Sequence, residues 1–495
     1  MKSVVVAARN GGLPKRYVQL PANQVMKGVT MLRRSYLAIM VAVAWCAPPQ
    51  SLAQKEESKL LALGPDELIT RIEAYLQPFV ETSNFSGVVC VTRGDQFLFH
   101  RGYGKANYEF GIPNIAETRF HIASVSKSFT AAAILLLEER GKLTTSEPLT
   151  KFLPDYPNGD KIQLQHLLTH SSGIPNVNNF PEYDRESRFP HTIEQVVALF
   201  KDKPLDFEPG SRFRYSNSNY NVLALVIEKV SGRSYEDFLK TNVFDPLGLS
   251  SITHDGNATR IIPNRASGTE PDGLHDVKLV PYLDWSIKTG NGSLVTTAAD
   301  LCRFATSLFT GKLLKPGSLA KVMKPGSSFP YGWSSGERFG RKTMSVGGRS
   351  PGFIANVEYF LEDSTCIAIL TNSYSSVGQV IAPDISAIVF GQHVTVPSIA
   401  YVSPRESGLA AYIGQYKMPD NYYVPGATLA MLDRGIYLEA NWSNGASTII
   451  YPAGGDNFVD RTFWARVRFT RSTDGQVTGF VYSLLQEFTA KKVTP

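Results

Sequence analysis

The pattern of hydrophobic and polar positions divides the chain into strand-rich ends and a helical middle. Residues 65–81 carry apolar side chains at helical spacing and predict a helix. Residues 85–110 alternate in short runs on both sides of a turn, which predicts two strands. Strand patterns return at residues 343–348 and 353–374, after a mostly helical stretch at 121–329. We therefore expect one sheet that is assembled from both ends of the domain.

The pattern changes again close to residue 396. Residues 396–404 predict a linker, and residues 405–495 predict a separate antiparallel β domain, a small barrel or sandwich. Period-two strands recur there, and Asp474-Gly475 favours a hairpin turn. Residues 54–395 form the main predicted domain. Its fold class is α/β (α+β), with an antiparallel sheet flanked by helices and an all-helical insert.

The first 53 residues predict an export signal. They contain seven basic residues and no acidic residue, and a 12-residue apolar run at 36–47 follows Arg33 and Arg34. That run is short for a bilayer span, which needs roughly 20 residues. A small-x-small site ends at Ala53, and Met31 is the expected true start. The mature protein is expected in the periplasm or secreted, without a stable membrane span; a retained short anchor is the alternative.

The basic excess belongs to this N-terminal segment. The whole chain has a formal charge of +6, but without residues 1–53 it has 43 basic and 44 acidic residues. A nucleic-acid-binding domain needs its cations on the folded surface. Nucleic acid is therefore excluded as an expected partner.

The strongest chemical signal is the segment HIASVSKSFTAAAILLLEERGKL, at residues 121–143. Ser124 and Lys127 lie one turn apart at the expected start of an apolar helix, where backbone N–H groups favour developing negative charge. Burial lowers the pKa of a lysine, so that its neutral amine can take the serine proton. The alternative is a Ser/Lys pair on a solvated face. Ser318 and Lys321 share the spacing and lack this context.

A second signal is Tyr215-Ser216-Asn217, just before a predicted helix from about 220 to 230. A phenol beside an ammonium loses its proton more easily, which would make Tyr215 a general base within reach of Ser124. Asn217 can hydrogen-bond Lys127 or a substrate carbonyl. The alternative is a turn without chemistry.

These motifs, with LQHLLTHSSGIPN, VFDPLGLSSITH, GSLVTTAADLCRFA and GGRSPGF, occur in an order that resembles the penicillin-recognising serine hydrolases. The resemblance covers about residues 65–395. It is strongest to class C β-lactamases, with D,D-carboxypeptidases, D-aminopeptidases and related esterases. It implies a β-lactamase/transpeptidase-like fold, and the residues after 405 resemble the lipocalin-like domains of some members.

The resemblance also implies site roles. Ser124 would attack the substrate and form an acyl-enzyme, while Lys127 and Tyr215 would shuttle protons. The oxyanion hole would use the backbone N–H groups of Ser124 and of Arg349, which follows Gly348. No metal or organic cofactor would be needed.

The third motif departs from the family, which has Lys or His, any residue, then Gly on the strand that lines the cleft. The corresponding residues here are Val346-Gly347-Gly348. A literal Lys288-Thr289-Gly290 is rejected, because it precedes a helix in a loop. Valine can neither hold a carboxylate nor share a proton with Tyr215, and Arg349 or Lys342 could replace the cation.

His166 and His170 stand four residues apart, the spacing of a zinc pair on a helix. No third ligand accompanies them, so a structural role beside the cleft is expected.

The sequence thus predicts an exported serine hydrolase for a small-molecule or short-peptide acyl substrate. Because of Val346, an esterase or peptidase is preferred over a β-lactamase or D,D-carboxypeptidase. The rival from another class is a penicillin-binding or sensor protein without turnover. The oligomeric state is left open.

Overall fold

A computed structural model describes residues 63–324, 329–396, 408–422, 426–443, 447–484 and 486–493. The predicted export signal at 1–53 lies outside these residues, as does nearly all of the predicted linker at 396–404. Among the described residues, no helix combines the length and the apolar character needed to cross a bilayer.

The α-helices are numbered in chain order. They are α1 Pro65–Glu81, α2 Ser126–Glu139, α3 Leu164–Leu168, α4 Tyr183–Glu186, α5 Ile193–Ala198, α6 Asn217–Ser231, α7 Tyr235–Leu239, α8 Ala298–Phe309, α9 Pro316–Val322 and α10 Val377–Val389. Short 3₁₀ turns lie at Ala123–Val125, Leu149–Lys151, Val177–Asn179, Trp285–Lys288, Pro330–Gly332 and Leu409–Tyr412, and a π-helical turn at Lys240–Phe244.

The strands are numbered in the same way. The main sheet contains β1 Gly87–Arg93, β2 Gln96–Tyr103, β10 Ser334–Arg338, β11 Arg341–Ser350, β12 Phe353–Phe360 and β13 Thr365–Thr371. Small sheets contain β3 Lys105–Asn107, β4 Ile112–Pro113, β5 Phe120–His121, β6 Thr253–His254, β7 Thr269–Asp272, β8 Asp276–Leu279 and β9 Leu294–Thr296. The C-terminal strands are β14 Gly414–Lys417, β15 Thr428–Asp433, β16 Leu438–Trp442, β17 Ser447–Gly454, β18 Asn457–Asp460, β19 Ala465–Arg471, β20 Val477–Ser483 and β21 Glu487–Val493.

The main sheet joins both ends of the domain, as the sequence predicts. Its strand order is β10-β11-β12-β13-β1-β2, and every neighbouring pair is antiparallel. The central strands β1 and β13 are almost entirely buried. Strands covered on both faces need helices on each side, and the chain supplies them.

Each face of the sheet has its own hydrophobic layer. Alternate residues of β1 point to opposite faces, so that Val89 packs with α1 and α10 while Val88 packs with the helical middle. Helix α2 lies inside that second layer, with 12 of its 14 residues buried. A helix that is buried on all sides holds the residues at its start in a fixed position.

The C-terminal strands close into an eight-stranded antiparallel barrel, in which β14 pairs with β21. Alternate residues point inward and form a core of their own. This agrees with the predicted antiparallel C-terminal β domain.

The barrel is anchored to the main domain by the loop between β18 and β19. The fully buried Arg461 donates to Asn84 Oδ1 at 2.8 Å and to the carbonyl oxygens of Gly273 and Asp276, both at 2.8 Å. Trp464 packs on Phe79 of α1, with ring centroids 5.2 Å apart. The barrel therefore has a fixed position relative to the sheet.

Candidate active site

Ser124 lies in a 3₁₀ turn, Ala123–Val125, and helix α2 begins two residues later at Ser126. The sequence places Ser124 at the helix start itself, so this boundary is corrected. Ala123 has a φ of 47°, an unusual conformation for a residue with a side chain. The turn leaves Ser124 only 7% exposed and directs its hydroxyl toward Lys127 and Tyr215.

Lys127, in the first turn of α2, is completely buried. Its Nζ lies 3.1 Å from Ser124 Oγ, 2.8 Å from Asn217 Oδ1 and 2.7 Å from the carbonyl oxygen of Asn291. The amide of Asn217 is oriented by a second bond, from its Nδ2 to Asn178 Oδ1 at 2.7 Å. Both Asn217 and Asn291 thus present oxygen acceptors to the amine.

These partners decide how a neutral Lys127 must be arranged. A neutral amine has two N–H bonds and one lone pair, and the two oxygens of Asn217 and Asn291 can only accept. Both N–H bonds are therefore used, and the lone pair is left facing Ser124 Oγ. The amine is oriented as an acceptor for the serine proton.

The pKa values support this arrangement. Burial, with a smaller effect from the charge of Lys288, holds the pKa of Lys127 well below its usual range. Burial raises the pKa of Tyr215 above the ordinary value of a phenol. The sequence expects an ammonium to acidify Tyr215, and this is corrected. The loss of hydration outweighs the opposing effect of the hydrogen bond with Ser124, so Tyr215 keeps its proton.

Tyr215 is held by His170. The two rings stack with centroids 4.2 Å apart, and His170 Nδ1 accepts the backbone N–H of Ser216 at 3.2 Å. The carbonyl oxygen of His170 also accepts the N–H of Arg214 at 2.8 Å. These contacts place Tyr215 Oη 2.9 Å from Ser124 Oγ. His170 is thus a positioning residue.

Asn217 is the first residue of helix α6, which begins earlier than the predicted start near 220. Ser216 precedes it in an extended conformation, and the N–H of Asn217 bonds Asn176 Oδ1 at 3.1 Å. The side-chain oxygen of Asn217 accepts a hydrogen bond from Lys127. The sequence suggests Lys127 as one partner of Asn217 and a substrate carbonyl as the other.

Gly348 brings strand β11 against the turn that holds Ser124. A Cβ atom at Gly348 would lie 2.2 Å from the carbonyl oxygen of Ile122 and 3.0 Å from Ser124 N. Only glycine permits this approach. At the neighbouring Gly347, which faces the other side of the sheet, the nearest atom to a Cβ would be Gln379 Nε2, at 3.7 Å, an ordinary van der Waals distance.

Arg349 follows Gly348 and lines the cleft beside Ser124. Its guanidinium donates to Ser376 Oγ at 2.6 Å and lies over the rings of Tyr374 and the barrel residue Phe463, at 4.1 and 5.1 Å. The barrel therefore contacts a wall of the cleft.

Val346 is 3% exposed and belongs to the hydrophobic layer under the helical middle. Lys342 is exposed, at the other end of β11, where its backbone N–H bonds Glu362. Lys288 belongs to the Lys-Thr-Gly segment that the sequence does not support as the third motif. It lies outside strand β11, as expected from the sequence. It nevertheless lines the cleft with Ser124.

Sequence reasoning missed Asn178, Asn291 and Lys288 as residues of the site, whereas the structural role beside the cleft that it expects for the two histidines agrees with the contacts of His170. His166 lies on α3 and its Nδ1 accepts the N–H of Gln163 at 3.2 Å, so the two histidines have different tasks. The signal for His170 was its nearness to a cleft loop. Nothing in the spacing of Asn291 or Lys288 connects them with Ser124.

Comparisons with known proteins show the family and the fold of the chain. The beta-lactamase family profile matches residues 72–387. A penicillin-binding protein of Bacillus subtilis is 27% identical over 448 residues, 83% of this chain and 96% of that protein. The teichoic acid D-alanine hydrolase of Staphylococcus aureus is 29% identical over 53% of this chain and 63% of its own length. The octameric penicillin-binding protein homologue of Pyrococcus abyssi has the same fold, with a TM-score of 0.58, 22% identity and coverage of 87% of this chain and 100% of that one.

The buried amine makes a prediction for stability. Lys127 has its ordinary pKa only when unfolded, so between the lowered folded pKa and about 10.5 the unfolded chain binds one more proton. Stability should rise with pH in that window, by up to about 1.4 kcal/mol per pH unit from this residue. Lys127→Met should remove that part of the slope in urea unfolding measured from pH 7 to 10.

The matched control is Lys142→Met, at an exposed lysine just beyond the end of α2. It should keep the wild-type slope. An unchanged slope in Lys127→Met would mean that the amine is protonated in the folded protein.

Proposed function

The chain belongs to the beta-lactamase family, and from this premise we propose that it is an exported serine hydrolase that cleaves an ester or an amide through an acyl-enzyme on Ser124. One observation carries the proposal. Ser124 Oγ lies between Lys127 Nζ, at 3.1 Å, and Tyr215 Oη, at 2.9 Å. A neutral amine and a neutral phenol on one hydroxyl provide a base and an acid for acyl transfer.

In the first half-reaction, Ser124 Oγ forms a bond with the acyl carbon and its proton moves to Lys127. The new ammonium is held by Asn217 Oδ1 and the carbonyl oxygen of Asn291, both of which accept from it. Tyr215 then gives its proton to the leaving alcohol or amine and takes the extra proton of the Lys127 ammonium, so that both side chains are neutral again. The bond to the leaving group breaks and the acyl-enzyme remains.

In the second half-reaction, water replaces the leaving group. Lys127 takes a proton from the water whose oxygen bonds to the acyl carbon, and Tyr215 gives its proton to Ser124 Oγ as the acyl bond breaks. Tyr215 then regains a proton from Lys127. The products are an acid and the free enzyme.

The oxyanion would be stabilised by the backbone N–H groups of Ser124 and Arg349. The close approach of Gly348 to the Ser124 turn supports this part of the proposal, because it brings the two backbone segments together. Donors fixed before the reaction stabilise charge that appears in the transition state.

We prefer small acyl or D-amino-acid esters and amides as substrates. The similarity to a teichoic acid D-alanine hydrolase supports this class. The buried Val346 gives strand β11 no polar side chain at the position where related enzymes carry Lys or His. A true β-lactamase or D,D-carboxypeptidase is the alternative.

The substrate class is tested with a panel of short-chain nitrophenyl esters, D-alanyl peptides and a chromogenic cephalosporin. Turnover of the esters or peptides should fall at least about 10³-fold in Ser124→Ala, since the nucleophile is lost. Ser318→Ala, at the other serine with the same spacing to a lysine, is the control and should keep wild-type rates.

Other results would count against the proposal. Full ester turnover by Ser124→Ala would exclude Ser124 as the nucleophile. A fluorescent penicillin that labels Ser124 permanently, with no turnover of any substrate, would favour the binding or sensor role.

The close approach at Gly348 gives a second test. Gly348→Ala would push β11 away from Ser124 and should lower kcat about 10²-fold or more, the effect of losing an oxyanion donor. Gly347→Ala, whose Cβ atom points to the opposite face, should stay within about threefold of wild type. Equal rates in the two variants would argue against an oxyanion site between Ser124 and Arg349.

Export is proposed from residues 1–53 alone. If Ala53 ends the cleaved signal, the protein recovered from the periplasm or the medium should begin at Gln54 in N-terminal sequencing. A protein found only in the cytoplasm, with residues 31–53 intact, would contradict this.

A further inference from the structure

Lys288 is a buried side chain of the cleft. It ends the turn Trp285–Lys288 and is only 8% exposed. No Asp or Glu of the described residues forms an ion pair with Lys288. Its Nζ lies over the ring of Tyr183, 5.8 Å from the ring centroid. Buried charges are normally paired, because burial without a partner costs free energy.

The position of Lys288 relative to the nucleophile is fixed by the loop that follows it. Gly292 N donates to the carbonyl oxygen of Lys288 at 2.8 Å, and the carbonyl oxygen of Asn291 accepts from Lys127. A Cβ atom at Gly292 would lie 3.5 Å from both the Lys288 side chain and the backbone of Ala123. The side chain of Lys288 thus lies beside the Ser124 turn.

The charges around the cleft favour an anion. Its lining contains Lys288, Arg349, Arg188 and one carboxylate, Asp184. Burial raises the pKa of Asp184, while the nearby Arg188 opposes the rise, so this acid is associated with a different cation. One guanidinium nitrogen of Arg349 is also buried without a hydrogen-bond partner among the described residues.

We infer that Lys288 is a specificity-determining residue that binds a carboxylate group of the acyl substrate, with Arg349 as a second cation. This rests on the proposed function and refines its substrate class. The valine in the third motif had argued against a substrate carboxylate. The cation comes instead from a turn that precedes α8, on a different element from β11.

An ammonium group at this position could alternatively act only on Lys127, by electrostatic repulsion. In that case its loss would shift the pH dependence of every substrate equally. A carboxylate-binding role changes one substrate relative to another. The ratio of two matched substrates therefore separates the roles.

Two substrate pairs place the charge on either side of the scissile bond. The first is 3-acetoxybenzoate with 3-acetoxybenzamide, and the second is the 4-nitrophenyl esters of 4-carboxybenzoic and 4-carbamoylbenzoic acid. In at least one pair, wild type should favour the carboxylate about tenfold or more in kcat/KM, the effect of a charge-assisted hydrogen bond. Lys288→Met should lower that ratio about tenfold, and Lys288→Arg should restore much of it.

Lys142→Met is the control and should keep the wild-type ratio. The inference is overturned if neither pair shows a carboxylate preference, or if Lys288→Met leaves the ratio unchanged while shifting the pH profile. If no substrate is turned over, the proposed function fails. Calorimetric binding of the same pairs to Ser124→Ala still measures the charge preference, and equal affinities overturn the inference.

Discussion

The removal of Lys127 from water is the constraint on which the rest of the site depends. An exposed lysine is protonated at neutral pH and cannot act as a base. Helix α2 has 12 of its 14 residues buried, and the lysine in its first turn is completely buried. The desolvation lowers its pKa, and two oxygen acceptors then fix the direction of its lone pair toward Ser124. The same desolvation keeps Tyr215 protonated.

Four separate segments meet around Ser124 and that amine, and each is held by a different part of the fold. The 3₁₀ turn at 123–125 holds Ser124, and α6 begins with the Asn217 that accepts from Lys127. The loop around His170 places the phenol by stacking and by two backbone contacts. Strand β11 completes the site only because Gly348 has no side chain to separate it from the turn.

The barrel is more than an appended domain in this geometry. Arg461 secures it to the main domain through buried hydrogen bonds to backbone oxygens and to Asn84. From that position Phe463 packs against the guanidinium of Arg349, a residue of the cleft wall. A change in how the barrel docks would therefore reach the wall of the cleft that contains Ser124.

The sequence by itself determined the architecture and the central pair of the site. Period-two strands at both ends of the first domain and beyond residue 405 predicted the sheet and an antiparallel C-terminal β domain, because alternation of side chains is a local property of a strand. The spacing of Ser124 and Lys127 placed them one turn apart, because the periodicity of a helical turn is also a local property of the chain. The tertiary structure alone decided the rest. Whether Tyr215 loses or keeps its proton, and whether Lys288 faces solvent or the cleft, depend on burial by segments that are distant in the chain, and no local pattern records that burial.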